Sequence, residues 1–129
     1  MRSDAREAAF KIIYSMQFNR DCTPSFRQSV YRNYPLKEEE AAYAERIFRT
    51  VSEHEQELLA RLQEIVKSYT LSRLFAADKS VLLIAMAEIL YFDDVPNVVS
   101  VNEAAGLAKK FSSETSADFV NGVLATLIN

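Results

Sequence analysis

Apolar residues recur along this chain at intervals of three and four, the period of an amphipathic α-helix and not of a strand. From about Ser3, which has the form of an N-cap, to about Asn19, residues Ala5, Ala8, Ala9, Ile12, Ile13 and Met16 fall on one face at ~100° per residue. That face is expected to be core. Phe10, Tyr14 and Phe18 make a second stripe on roughly the opposite side, bracketed by Arg6 and Lys11. A helix apolar on two faces is either sandwiched or carries a contact stripe. Sandwiching is the expectation for Phe10 and Phe18. Tyr14 stays open between the two, because its hydroxyl requires a polar partner or water.

The same patterning predicts the remaining elements. Thr23-Pro24 reads as an N-cap followed by proline in the first turn, opening a helix through Phe26, Val30 and Tyr31 that ends at Asn33-Tyr34-Pro35. Lys37 to Glu40 opens the next, with three glutamates against the positive helix end. Ala44, Ile47, Phe48 and Val51, then Leu58, Leu59, Leu62, Ile65, Val66 and Tyr69, form two amphipathic segments whose phase changes near His54, where a break or bend is expected. Thr70 to Ala76 reads as a connector with one helical turn. Asp78 to Phe92 is apolar nearly all round and should be the central buried helix, closed by Asp93, Asp94 and Pro96. Ser100 and Glu103 have the spacing of a capping box, followed by Val101, Ala104, Ala105 and Ala108. After Ser112-Ser113 the period resumes with Phe119, Val120, Val123, Leu124 and Leu127. Gly122 lies inside that run, at about 1 kcal/mol against alanine, which suggests close backbone approach or a contact surface. The expected fold is all-α, one domain over residues 1–129, a bundle of about six to seven helices.

Composition narrows the class. Two glycines and three prolines against 49% hydrophobic residues leave little material for many turns. Cys22 is the only cysteine, so no internal disulfide forms and a reduced cytosolic setting is the simpler reading. No secretory leader pattern and no run of ~20 apolar residues is present, so a soluble cytoplasmic protein without a membrane anchor is expected. The net charge of −3 is unevenly spread. Residues 1–34 carry six basic and three acidic groups, a net +3, and the rest carries −6. Such a molecule suits two partners of opposite charge, although a mixed solvated surface is equally consistent.

Catalytic chemistry is not indicated. There is no glycine-rich phosphate loop, no Cys or His cluster for a metal, and no nucleophile spaced with a histidine, so no catalytic, cofactor or metal residue is assigned. His54, between Glu53 and Glu55, is expected at the surface. What remains is binding. Arg2 and Arg6, one turn apart, lie close in sequence to Lys11 and the aromatic stripe, which pairs cations for phosphate with rings for stacking.

The phrases VNEAAGLAKKF (101–111) and FVNGVL (119–124), the run Asp78–Ile89, the turn Asp94-Val95-Pro96, and Ala5-Arg6-Glu7 with Tyr14-Ser15 together resemble the NusB family of bacterial transcription antitermination factors. The resemblance implies a non-catalytic protein that binds single-stranded boxA RNA of nascent ribosomal RNA. It also implies a pairing with NusE, a small-subunit ribosomal protein, within the RNA polymerase antitermination complex. Arg2, Arg6 and Tyr14 match the family's RNA-binding pattern, with Lys11 alongside. By the same alignment, Thr115 and Phe119 complete the RNA surface, Phe119 having core as its alternative. Asp78 matches an acidic position of the NusE contact, a role compatible with capping its helix.

The chain departs from the family at Ser3 and Asp4, where basic residues are common, at Leu83, where arginine is usual, and at Ser112, where glycine is usual. Phosphate contacts from Arg2, Arg6 and Lys11 would give a single-strand salt slope of only about −2, so a protein partner is expected to supply the rest. Two alternatives remain. One is a protein-binding helical module that has lost RNA recognition, motivated by Ser3, Asp4 and Leu83. The other is a stand-alone relative of the NusB-like domain that precedes the catalytic domain of some rRNA cytosine methyltransferases, though nothing follows Asn129 and no cofactor segment exists. Monomer and homodimer both stay open. The leading reading requires a cationic, ring-bearing tip of the first helix, accessible beside the last.

Overall fold

The computed structural model describes residues 2–18, 22–67 and 71–129, apart from the side chain of Ser72. The first helix ends at Met16 with Gln17 and Phe18 in a turn, short of the expected end at about Asn19; Asn19, Tyr69 and Thr70 themselves lie outside the described residues. The elements are α1 (Arg2–Met16), α2 (Pro24–Asn33), α3 (Glu38–Ile65), a single 3-10 turn (Leu71–Arg73), α4 (Ala76–Tyr91), α5 (Asn97–Phe111) and α6 (Glu114–Ile128). The described residues contain no strand, as the periodicity predicts.

The core is organised around α4, which packs against α1, α3, α5 and α6. Ser80 through Glu88 are buried without interruption, because four neighbouring helices cover every side of an apolar cylinder. Leu83, the departure from the family's arginine, is among the fully buried side chains. The apolar face of α1 meets α4 and α3 through Ala5, Ala8, Ala9, Ile12 and Ile13, all fully buried. Three alanines on that face permit close helix approach, and burial of the larger side chains contributes roughly 1.5–3 kcal/mol each.

Local signals fix several boundaries. Thr23 caps α2 by accepting the Phe26 N–H at 3.2 Å, with Pro24 as the first helical residue. Glu40 accepts the Lys37 backbone N–H at 2.9 Å at the start of α3. His54 leaves the helical region (φ −115°, ψ 18°) and bends α3, as the phase change predicts. Its ring stacks on Tyr91 at 4.0 Å between centroids.

Other expectations are corrected. Ser3 is not a cap, since α1 already begins at Arg2. The capping box at Ser100 and Glu103 does not form, because α5 starts three residues earlier after Pro96. Ser100 Oγ instead donates to Glu88 at 2.9 Å. Asp78 lies in the first turn of α4 but Phe75 is the N-cap. Gly122 shows no close backbone approach within the chain, because a Cβ built there would meet nothing within 4 Å. It is exposed, which leaves the contact-surface reading.

Candidate nucleic-acid interface

The two halves of α1 carry cations into different environments. Arg6 projects into the interior, 3% exposed. Its Nε donates to Glu88 Oε2 at 2.8 Å and its Nη1 to Glu103 Oε1 at 2.9 Å, while the Tyr43 hydroxyl donates to the same Glu88 carboxylate. Burial alone would lower the Arg6 pKa, but attraction to Glu88 outweighs it and the pKa is raised. Tyr43 is held protonated by burial and by its bond to Glu88. A charge here is sustainable only because every neighbour compensates it. Arg6 is therefore not offered to a phosphate, which corrects its assignment from the sequence: its guanidinium joins α1 to α4 and α5.

Arg2, at the tip of α1, is exposed. Its guanidinium lies 4.2 Å from the Tyr43 ring centroid and 3.4 Å from Asp94 Oδ2. Arg46 of α3 approaches the same carboxylate with two bonds at 2.8 and 3.1 Å, and covers the Phe92 ring at 3.8 Å. The Arg46 bond, with that of Arg2, holds the Asp94 carboxyl well below the usual carboxylate range. An open depression of about 680 Å³ adjoins this group, lined by Arg2, Lys37, Glu39, Glu40, Tyr43 and Arg46 among others.

The ring stripe starts on the second half of α1 and ends in the turn that follows it. Phe10 is buried, as expected, stacked on Phe111 at 4.6 Å. Tyr14 stacks on Phe10 at 5.6 Å and is 37% exposed. Phe18 meets Tyr14 edge-on at 5.1 Å but is 68% exposed, against the expectation that it would be sandwiched. Lys11 stands over Phe111 at 4.9 Å and Lys110 near it at 5.6 Å. Lys110 also pairs with Glu7 at 2.6 Å, which raises its pKa.

The remaining sequence candidates separate. Thr115 is exposed in the first turn of α6, four residues beyond Phe111. Phe119 is partly buried and packs against the core. Asp78 is 5% exposed, with Oδ2 accepting from Ser116 Oγ at 3.1 Å. Asp78 thus secures the start of α4 to α6 and does not present its carboxylate at the surface. α6 packs on α5, α4 and α3 and does not run along α1. The tip of α1 instead adjoins the α4–α5 turn, and the ring stripe reaches the end of α5.

Sequence reasoning missed Arg46, Phe111, Lys110 and Glu88 as parts of these groupings. Only Glu88 left a signal, as a carboxylate in the middle of the most apolar helix, where an unpaired charge is untenable. No group of three or more His, Cys, Asp or Glu among the described residues could hold a metal ion, and no helix is long and apolar enough to cross a membrane.

Fold and surface define an all-helical binding domain. The NusB family model matches residues 3–129. The transcription antitermination protein NusB of Acetivibrio thermocellus is 31% identical over 127 residues, covering 98% of this chain and 88% of that protein. NusB of T. maritima superposes with a TM-score of 0.87 at 27% identity, over 98% of this chain and 89% of that one. A crystal structure of the antitermination factors NusB and NusE in complex with dsRNA gives 0.89 at 22% identity, over 98% and 94%. This chain belongs to the NusB family of transcription antitermination factors, which are not enzymes.

Proposed function

We propose that the chain binds single-stranded boxA RNA of nascent ribosomal RNA together with NusE, and so joins the antitermination complex of RNA polymerase in the cytoplasm. The observation that carries this reading is the exposed second half of α1, where Lys11 and Tyr14 combine a cation with a ring, with Arg2 a further exposed cation at the tip of the same helix. Phosphates meet the cations and an unstacked base meets the ring. Since α6 does not run along α1, Thr115 and the accessible part of Phe119 would extend this surface only by way of the end of α5, which the ring stripe reaches. The solved relative that holds NusE and dsRNA supports a ribonucleoprotein role, and the −6 balance of residues 35–129 suits a basic ribosomal protein. Asp78 contributes to the NusE contact indirectly, by fixing α4 to α6.

The test is a titration of labelled boxA-containing RNA and a scrambled control, with and without NusE. Preferential binding of boxA that strengthens with NusE is expected, as is a loss of affinity in the Arg2→Glu/Lys11→Glu double variant. Equal affinity for the scrambled RNA would remove the mechanism. Burial of Arg6 favours the alternative of a protein-binding module without RNA recognition, and unchanged RNA affinity in the double variant would support it.

A further inference from the structure

The ring stripe continues past Tyr14, and its last member, Phe18 in the turn after α1, is the most exposed ring of the stripe. Phe111, Phe10, Tyr14 and Phe18 form a continuous ladder with centroid separations of 4.6, 5.6 and 5.1 Å. Phe10 is buried and Phe111 at the inner end partly so, while Phe18 at the outer end leaves 68% of its surface uncovered. A single exposed phenylalanine is ordinary. This one is braced by a second ring and lies along a ladder whose far end carries Lys11 and Lys110, both over Phe111. Rings with ammonium groups alongside suit a polyanion that carries flat bases, and the same lysines repel a basic protein.

Resting on the RNA-binding reading above, we infer that Phe18 is a second base-stacking ring. It takes the nucleotide next to the one on Tyr14, while Lys11 neutralises a phosphate toward the Phe111 end of the ladder. Glu7 holds the Lys110 ammonium at 2.6 Å and so positions it at the ladder. The path of the RNA then runs along the second half of α1 toward the end of α5, away from buried Arg6.

The chain contains no tryptophan, so Phe18→Trp introduces a single indole whose emission reports stacking directly. A Val98→Trp variant, at an exposed site in the first turn of α5, is the control. Titration with boxA-containing RNA in the presence of NusE is expected to quench the Phe18→Trp protein and leave the control unchanged. Phe18→Ala should weaken RNA binding about tenfold, within the range found for loss of one stacked base. Lys11→Gln should reduce the salt slope by about 0.7, one single-strand phosphate contact. Wild-type binding with no quenching and unchanged Phe18→Ala affinity would overturn the inference while leaving the proposed function intact. Quenching by NusE alone, with no further change on adding RNA, would assign Phe18 to the protein contact and also overturn it. Absence of RNA binding by the wild type would defeat both.

Discussion

Arg6 and Lys11 lie on the same helix five residues apart, yet one is almost wholly enclosed and the other stands in solvent. Arg6 is met by Glu88, Glu103 and Tyr43, whereas Lys11 lies across the face of Phe111. The difference shows that a cation's residue type does not decide its role. An enclosed guanidinium must have all its neighbours matched, and it becomes part of the framework. A surface ammonium keeps its water and stays available to a phosphate. Between these extremes lie Arg27–Glu45, at intermediate burial, and Arg2–Asp94–Arg46, at the surface. Together they form a graded series in which burial and stability should rise together.

The largest effect is expected at Arg6. Arg6→Met leaves Glu88 enclosed without its cation and should destabilise by about 3–5 kcal/mol, the range for breaking one partner of a buried pair. Tyr43 and Ser100 still donate to that carboxylate, which places the loss toward the lower end. Urea denaturation measures it directly. The Arg6→Met/Glu88→Met double variant should recover much of the loss, because two apolar side chains replace two charges. If the double variant is as unstable as the single one, compensation by Glu88 is not what holds Arg6 inside. Lys11→Met should shift stability by no more than about 0.5 kcal/mol.

An intermediate effect belongs to Glu45, which binds the short α2 to α3. Arg27 donates to both of its oxygens at 2.9 and 2.8 Å, and the Tyr31 hydroxyl at 2.6 Å. The Arg27 bonds, then that of Tyr31, outweigh burial and lower the Glu45 pKa. A carboxylate with a depressed folded pKa contributes stability above its unfolded value, here 4.5, and loses that contribution as pH falls through the folded value. Glu45→Gln should therefore cost about 1 kcal/mol at pH 7, allowing for solvent screening. The gap from wild type should shrink steadily below about pH 4.5. A gap independent of pH would mean that shape, and not charge, makes the clamp.

How much of this was legible in the sequence follows the range of each interaction. Thr23-Pro24 and the bend at His54 depend on neighbours in sequence, and both are where the pattern places them. The helical class and the burial of α4 also follow from periodicity, since nothing else satisfies a cylinder apolar all round. The Ser100–Glu103 capping box failed because its two side chains are taken by other helices, Ser100 by Glu88 of α4 and Glu103 by Arg6 and Ser3 of α1. Arg6 was misassigned for the same reason: its partners lie 82 and 97 residues away, and no local spacing reveals them. Phe18 looked like core by periodicity, but its position at the end of the stripe left most of the ring uncovered.

The smallest stability effect, and the sharpest test of the series, lies at Asp94. It shares its carboxylate between Arg2 and Arg46, yet about half of each side chain in this grouping is open to water. Exposed ion pairs are screened and contribute little, so Asp94→Asn should leave the denaturation midpoint unmoved. Removing the carboxylate frees two guanidiniums that it now neutralises. RNA affinity should therefore rise severalfold at low salt, with the gain fading as ionic strength increases. Should Asp94→Asn unfold as readily as Arg6→Met, exposure does not separate framework cations from available ones. Should stability hold and RNA affinity stay flat at low salt, Arg2 lies off the RNA path and the binding surface begins further along α1, at Lys11.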